Sequence, residues 1–292
     1  MRDELFFPSG FLAPAPELSR YEAARIVVLP IPYDATTTGR PGTRNGPAAI
    51  IRASQDIETY DLGLGFDATL HGIHTLPELA PHSGSPQAMI GRIEGVVDEL
   101  LGDGKFVVTL GGEHTVTVGA VRAHLRRNPG LSVLAIDAHA DLRDQYLDSP
   151  YNHACTLRRI AEAAPVIQIG LRSACEEDVR YLSEWKLPFL SPADYRALAA
   201  GPLNIAGRLS DAVYVTIDLD GIDPSQMAAV GTPEPGGLFW DELLELLTAV
   251  AEEKKIVGFD VTELAPELGP PACANLAAKL TQRLIGLALG AP

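Results

Sequence analysis

The sequence contains few cysteines. There are three in 292 residues, Cys155, Cys175 and Cys273, and no two of them are spaced as C-x-x-C. An odd and widely spaced set of this kind indicates neither a disulfide framework nor a zinc ribbon. We therefore expect a protein of a reducing compartment, the cytoplasm, and the sequence assigns no role to the three thiols.

Long apolar runs and basic charge are also scarce. No uninterrupted apolar stretch reaches the roughly 20 residues that span a bilayer, and the first residues do not form a secretory leader. The 23 Lys and Arg residues are outnumbered by 38 Asp and Glu residues, which gives a formal net charge of -15. A chain without a basic stripe is poorly suited to nucleic acid. We predict a soluble, unexported protein that binds neither membranes nor nucleic acid.

Internal repeats and low-complexity linkers are absent as well, which predicts a single domain over residues 1–292. Residues 1–21 are rich in proline and lack periodicity, and this is typical of an arm on the domain surface. Because 46% of all residues are hydrophobic, the chain can bury a sizeable core.

After the arm, short apolar runs alternate with segments of helical periodicity. This alternation predicts an α/β fold with a parallel sheet and helices on both faces. Residues 69–86 show no pattern. The predicted strands cover 25–29, 105–110, 132–136, 166–169, 214–217 and 255–259, and the predicted helices cover 48–53, 90–101, 117–127, 154–164, 176–185, 193–200, 239–253 and 273–289.

Three polar side chains follow the strand at 132–136 at alternate positions. Asp137, His139 and Asp141 are separated by single alanines, so in extended backbone they point to the same side. Burying two carboxylates and an imidazole together costs several kcal/mol unless a cation neutralises the acids. The segment therefore predicts a metal site.

Other predicted strands end in similar residues. His114 follows one strand within Gly-Gly-Glu-His, Asp218 and Asp220 follow another, and a further strand leads into Asp-Val-Thr-Glu, which ends at Glu263. In a parallel sheet these ends meet at one edge. A single Asp or His at such a position is more often a helix cap. Taken together, the residues favour metal binding over independent capping.

The number of ligands decides the number of ions. Six groups are too many for one tetrahedral zinc with an open position, whereas two ions that share bridging carboxylates would use them all. Mostly oxygen ligands with two imidazoles suit Mn²⁺, and zinc, cobalt, nickel or iron remain admissible. A water between two such ions loses a proton near neutral pH, which predicts hydrolytic chemistry. The six groups are His114, Asp137, His139, Asp141, Asp218 and Asp220.

Three motifs resemble, in order and spacing, the metal signatures of the ureohydrolase family, the arginases and agmatinases. They are Gly-Gly-Glu-His at 111–114, Asp-Ala-His-Ala-Asp at 137–141 and Asp-Leu-Asp-Gly-Ile-Asp-Pro at 218–224. The loop at 33–42 and the glycine-rich segment at 231–238 are similar to family segments too. The resemblance implies a three-layer αβα sandwich with a mostly parallel eight-stranded sheet, assembled as trimers or hexamers.

The same resemblance implies the roles of individual residues around two Mn²⁺ ions. One ion would be held by His114, Asp137, Asp141 and Asp218, and the other by Asp137, His139, Asp218 and Asp220. A hydroxide bridging the ions would attack the guanidinium carbon and urea would leave. Glu263 would orient the guanidinium, His153 would be the proton shuttle to the departing amine, and Asp141 would accept a hydrogen bond from the hydroxide. On its own, His153 is equally a helix-entry residue.

The substrate is less narrowly specified. The stretch 141–159 resembles agmatinases more than arginases, so agmatine, which would give putrescine and urea, is the first expectation. Ala154-Cys155 follows His153 where many relatives have glycine, and N1-aminopropylagmatine, guanidinobutyrate and arginine therefore stay open. A single-zinc deacylase and a catalytically silent metal-binding homologue are the alternatives from other classes.

Overall fold

The structure of the protein is a computed structural model that describes residues 9–199 and 201–290. Within them the chain forms ten strands: β1 (Ile26–Ile31), β2 (Tyr60–Asp61), β3 (Phe66–Asp67), β4 (Ile73–Thr75), β5 (Phe106–Gly111), β6 (Ser132–Ile136), β7 (Val166–Ile169), β8 (Phe189–Leu190), β9 (Ala212–Asp218) and β10 (Lys255–Thr262). It also forms nine α-helices: α1 (Gly46–Ala53), α2 (Pro86–Gly102), α3 (Val116–Arg127), α4 (Thr156–Ala161), α5 (Glu176–Trp185), α6 (Pro192–Ala197), α7 (Gly201–Ala206), α8 (Trp240–Glu253) and α9 (Ala272–Ala288). None of the helices described is long and apolar enough to cross a membrane.

Eight of the strands form one sheet in the order β4-β1-β5-β10-β9-β6-β7-β8. All of its pairings are parallel. The strands β2 and β3 pair separately as a short antiparallel hairpin. Since every strand of the large sheet runs the same way, all their carboxyl ends lie along one edge.

Alternate residues of the inner strands enter two separate hydrophobic cores. On β1, Ile26 and Val28 pack into the core that includes α1, α8 and α9, whereas Val27 and Leu29 pack into the core that includes α2 and α3. This is the period-two alternation of a strand, with both of its faces buried. Helices therefore cover both faces, and the predicted three-layer αβα fold is confirmed.

Several element boundaries differ from the sequence-based predictions. The edge strands β4 and β8 and the short helix α7 were not predicted, and the helix predicted at 154–164 is a 3-10 turn at His153–Cys155 followed by α4. The helix predicted at 193–200 ends at Ala197, and residue 200 lies outside the described residues. An isolated two- or three-residue strand carries too little pattern to be recognised, because its pairing depends on neighbours distant in sequence.

The N-terminal arm is irregular between residues 9 and 21, and the residues before it lie outside the described part of the chain. The arm does more than cover the surface, because Phe11 and Leu12 are buried in the core on the α1 and α9 side. Backbone bonds hold it there: the Phe11 N–H donates to Thr75 Oγ1 and the Leu12 N–H donates to Ser54 Oγ, both at 2.8 Å. The arm is therefore fastened to the domain by its own apolar side chains.

Candidate metal centre

The predicted ligands follow or end three of the four strands in the middle of the sheet, β5, β9 and β6, and Glu263 follows the fourth, β10. The structure brings all six predicted ligands to the carboxyl edge of these strands, where they lie in two groups that share one residue. Five of the six are buried, and His139 is partly exposed.

The first group surrounds His114. Its Nδ1 lies 3.1 Å from Asp137 Oδ2, 3.2 Å from Asp141 Oδ2 and 3.5 Å from Asp218 Oδ2. The His114 ring is fully buried. Three carboxylates facing one imidazole nitrogen require a positive charge between them, which either a proton on the ring or a metal ion can supply.

The second group surrounds His139. Its Nδ1 lies 2.9 Å from Asp220 Oδ2 and 4.0 Å from Asp137 Oδ1. The two oxygens of Asp137 thus face different groups, Oδ2 toward His114 and Oδ1 toward His139. This is the arrangement expected of a bridging carboxylate.

The charges of the site support a cationic occupant. Asp137 Oδ2 is buried and has no hydrogen-bond partner in the described part of the chain. Burial and the charge of Asp141 raise the pKa of Asp137 to about 7. Burial lowers the pKa of His139, but the hydrogen bond and charge of Asp220 outweigh it and raise that pKa to about 10. Groups that perturb one another in this way fit divalent cations, which would neutralise the acids.

A hydrogen-bonded chain lies behind His114 and was not predicted. Thr216 Oγ1 donates to Asp260 Oδ1 at 2.6 Å, and Tyr214 OH donates to Asp260 Oδ2 at 2.8 Å. Because the only hydroxyl proton of Thr216 is used in this way, its oxygen accepts from His114 Nε2, 3.0 Å away. These hydrogen bonds therefore place the ring proton of His114 on Nε2 and leave the Nδ1 lone pair facing the carboxylates.

Glu263 and His153 share a cavity of about 280 Å³ with the acids. The His114 N–H donates to Glu263 Oε1 at 2.7 Å, and Glu263 adopts a left-handed backbone with φ of 65°. Burial, then the charge of Glu113, raises the pKa of Glu263 well above its usual range. Burial lowers the pKa of His153. The cavity thus combines a buried acid and an imidazole with the metal-competent groups.

A comparison with known proteins identifies the family and supports the fold. The family model described as Arginase family matches residues 24–286, which include every residue of the candidate metal centre. The chain belongs to the arginase family.

Individual relatives of this arginase-family chain agree with the match. An N(1)-aminopropylagmatine ureohydrolase of Synechocystis sp. is 39% identical over 291 residues, covering 96% of this chain and 94% of the relative. An agmatinase of Pyrococcus horikoshii is 33% identical, covering 90% of this chain and 92% of the relative. The solved agmatine ureohydrolase of Thermoplasma volcanium has a TM-score of 0.87 at 34% identity, covering 98% of this chain and 96% of that one.

Arginase-family proteins are amidinohydrolases that use a binuclear metal centre and act on small guanidino compounds. This chain is accordingly a hydrolase of linear amidine C–N bonds, and the predicted family, fold and reaction class are confirmed. The membership also favours two metal ions over the single-zinc deacylase.

In this arginase-family site, the sequence-based prediction did not include Tyr214, Thr216 and Asp260, whose hydrogen bonds lie behind His114. Tyr214 and Thr216 are polar residues at alternate positions of a strand that is otherwise apolar, and they point to the same face. That alternation was a usable signal, because a buried hydroxyl needs a partner. Asp260 faces Thr216 directly in the register of β9 and β10. The pairing itself depends on strand order, which the sequence does not state.

Proposed function

We propose that this chain releases urea from the guanidinium end of agmatine or N1-aminopropylagmatine. The observation that carries the proposal is the pair of ligand groups joined by Asp137, with Glu263 and His153 in the same cavity. The sequence motifs favour agmatine as the substrate. Relatives named N(1)-aminopropylagmatine ureohydrolase are 38–39% identical and those named agmatinase 32–33%, which favours the aminopropyl derivative as the better substrate.

The six groups are proposed to hold two Mn²⁺ ions, and the oxygen-rich set with two imidazoles supports that metal. Asp137 would bridge through its two oxygens, and Asp218 would contribute to both ions. When bound, the ions supply a Lewis-acid pair that lowers the pKa of water enough to provide a nucleophile near neutral pH. The proposed ligands are His114, Asp137, His139, Asp141, Asp218 and Asp220.

Glu263 is proposed to bind the planar guanidinium. Its carboxylate is fixed by the His114 N–H at Oε1, beside the acids, and a guanidinium can donate paired N–H bonds to a carboxylate held in this way. The interaction would place the guanidinium carbon next to the metal-competent groups. Asp141 is proposed to accept a hydrogen bond from the attacking oxygen.

His153 is proposed as the proton carrier. Breaking the C–N bond leaves an amine nitrogen that needs a proton, and His153 lines the same cavity as Glu263. Since burial lowers the pKa of His153, the ring is neutral before the reaction and can take up a proton released from water before passing it to the amine.

A panel assay tests the proposal. Urea release with Mn²⁺ would be measured for agmatine, N1-aminopropylagmatine, guanidinobutyrate and arginine, with wild type and Asp137→Ala side by side. We expect activity on the two agmatine-type compounds, higher for the aminopropyl derivative, and almost none in the variant. Equal urea release by both proteins, or none by wild type from any compound, would contradict the proposal.

The cytoplasm is proposed as the compartment and a trimer or hexamer as the assembly. None of the three cysteines, all within the described residues, forms a disulfide, which suits a reducing compartment. Light scattering coupled to size exclusion would measure the assembly, and a monomer at micromolar concentration would refute it.

A further inference from the structure

Glu113 is a buried acid that the two ligand groups do not include. It lies between β5 and the ligand His114, its side chain is fully buried, and burial raises its pKa to about 7. A charge in such a position is costly unless donors surround it. The donors come from one short loop. Glu113 Oε1 accepts from Thr36 Oγ1 at 2.6 Å, and Oε2 accepts from the Thr36 N–H at 2.8 Å and from Thr37 Oγ1 at 3.2 Å.

The same loop holds His153 from two sides. Thr36 Oγ1, while donating to Glu113, accepts from the backbone N–H of His153 at 3.0 Å. The carbonyl of Thr36 accepts from Asn152 Nδ2 at 3.2 Å. Two residues further on, Thr38 reaches the His153 ring, with its Oγ1 2.7 Å and its N–H 3.3 Å from Nε2. Backbone and ring of His153 are therefore both fixed by Thr36–Thr38.

These contacts define the orientation of the imidazole. A backbone N–H can only donate, so Nε2 of His153 is an acceptor and the neutral ring carries its proton on Nδ1. A ring without these contacts could rotate about its side-chain bonds and face the cavity with either nitrogen. The loop thus selects one ring face and one tautomer for a residue that must exchange protons with the substrate.

We propose that Glu113 and Thr36 are positioning residues for His153, and that Thr38 orients its ring. The proposal rests on the proposed function, in which His153 carries a proton to the departing amine. Through Glu113 and His114, adjacent residues in the segment that follows β5, one segment would fix both a metal ligand and the proton carrier. The metal ligand and the residue that anchors the Thr36 loop are then neighbours in the chain, so a shift of this segment would move both.

The proposal predicts hydroxyl-specific effects. Thr36→Val and Thr38→Val keep the shape of the side chain and remove its hydroxyl, whereas Thr36→Ser and Thr38→Ser keep the hydroxyl. With Mn²⁺ saturating, we expect kcat for urea release to fall about 10- to 100-fold in the valine variants, as for a small displacement of a reacting group. We expect KM and the bound metal per chain to change little, and the serine variants to retain most of the kcat.

A matched control comes from the β2–β3 hairpin. Thr59 Oγ1 also donates to a carboxylate, Asp67 Oδ2 at 2.9 Å, but away from the cavity. Thr59→Val makes the same chemical change and should leave kcat unchanged. Glu113→Gln changes the carboxylate to which Thr36 and Thr37 donate, and its melting temperature would be measured in parallel. If Glu113→Gln does not fold, Thr36→Val still tests the proposal.

A second readout does not depend on activity. Diethyl pyrocarbonate modifies accessible imidazole nitrogens, and peptide mass spectrometry gives the rate at His153 separately. We expect the rate to rise severalfold in Thr36→Val and Thr38→Val and to stay at the wild-type value in Thr59→Val. If wild type releases no urea while these rates still differ, the proposed function fails and the positioning by the loop stands. Wild-type kcat and wild-type modification rates in both valine variants would overturn the positioning.

Discussion

Asp260 offers a test of the hydrogen-bonded chain behind His114. The carboxylate is fully buried, burial raises its pKa to about 6, and it accepts from Thr216 and Tyr214 at 2.6 and 2.8 Å. In Asp260→Asn one oxygen becomes an amide nitrogen, which donates instead of accepting. One of the two hydroxyls must then turn, and if Thr216 turns, its proton points at His114 Nε2 and opposes the tautomer that leaves Nδ1 free.

The size of the effect follows from the bond that is lost. A hydrogen bond to a buried charged group contributes about 1.5–3 kcal/mol, and loss of a group that orients a metal ligand typically weakens binding about 10- to 100-fold. A factor of ten in a dissociation constant corresponds to about 1.4 kcal/mol, so the energy of the hydrogen bond and the expected loss of metal affinity agree. We therefore expect the Mn²⁺ dissociation constant of the His114 group to rise about 10- to 100-fold in Asp260→Asn.

The assay is a calorimetric titration of metal-free protein with Mn²⁺, with the melting temperature of the metal-free chain as a check on folding. Asp61 supplies a control, because it is also buried and pairs with Arg283 at 2.6 Å, outside the cavity. Asp61→Asn should lower the melting temperature without altering the titration. If folded Asp260→Asn binds Mn²⁺ as tightly as wild type, the chain through Thr216 does not orient His114 and the reasoning is wrong.

Three further outcomes follow from the site. Dialysis against a chelator should lower the melting temperature by several degrees, because the buried acids repel one another once the metal is removed. Added Mn²⁺ should restore the melting temperature, which differential scanning fluorimetry would measure. Asp137→Asn should lower the affinity for both ions and Asp220→Asn mainly for one, which metal analysis across a Mn²⁺ titration can distinguish. Glu263→Gln should lower kcat/KM about 100-fold with bound metal unchanged, because a neutral amide is a poor partner for guanidinium; an unchanged kcat/KM would rule out that role.

The strand ends could be predicted from the sequence because their signal is local. An apolar run followed by alternate acids gives both the strand and the side on which Asp137, His139 and Asp141 lie, and the parallel class of the sheet then brings separate strand ends to one edge. Every step uses neighbours in sequence and one rule of topology. The resemblance to known motifs added the division of ligands between two ions.

The supporting contacts could not be predicted because they join distant segments. Glu113 and Thr36 are 77 residues apart, and Thr216 and Asp260 are 44 apart. Each pair depends on which strands are neighbours and in which register, and neither is encoded in the local pattern. The burial of Phe11 has the same origin, since an aromatic residue in an irregular arm gives no indication of which core it will enter.

The order of the strands has a consequence for how long a bound ion would stay. The sheet is edged by β4 and β8, which have three and two residues, while the ligands and Glu263 follow or end the longer inner strands β5, β10, β9 and β6. Edge strands exchange their amide hydrogens through small local openings, whereas inner strands of a sheet open only with much of the domain. Fraying at either border would therefore leave the ligands in place. Release of an ion into the cavity would then depend on the ligand side chains themselves and not on motion at the margins of the sheet.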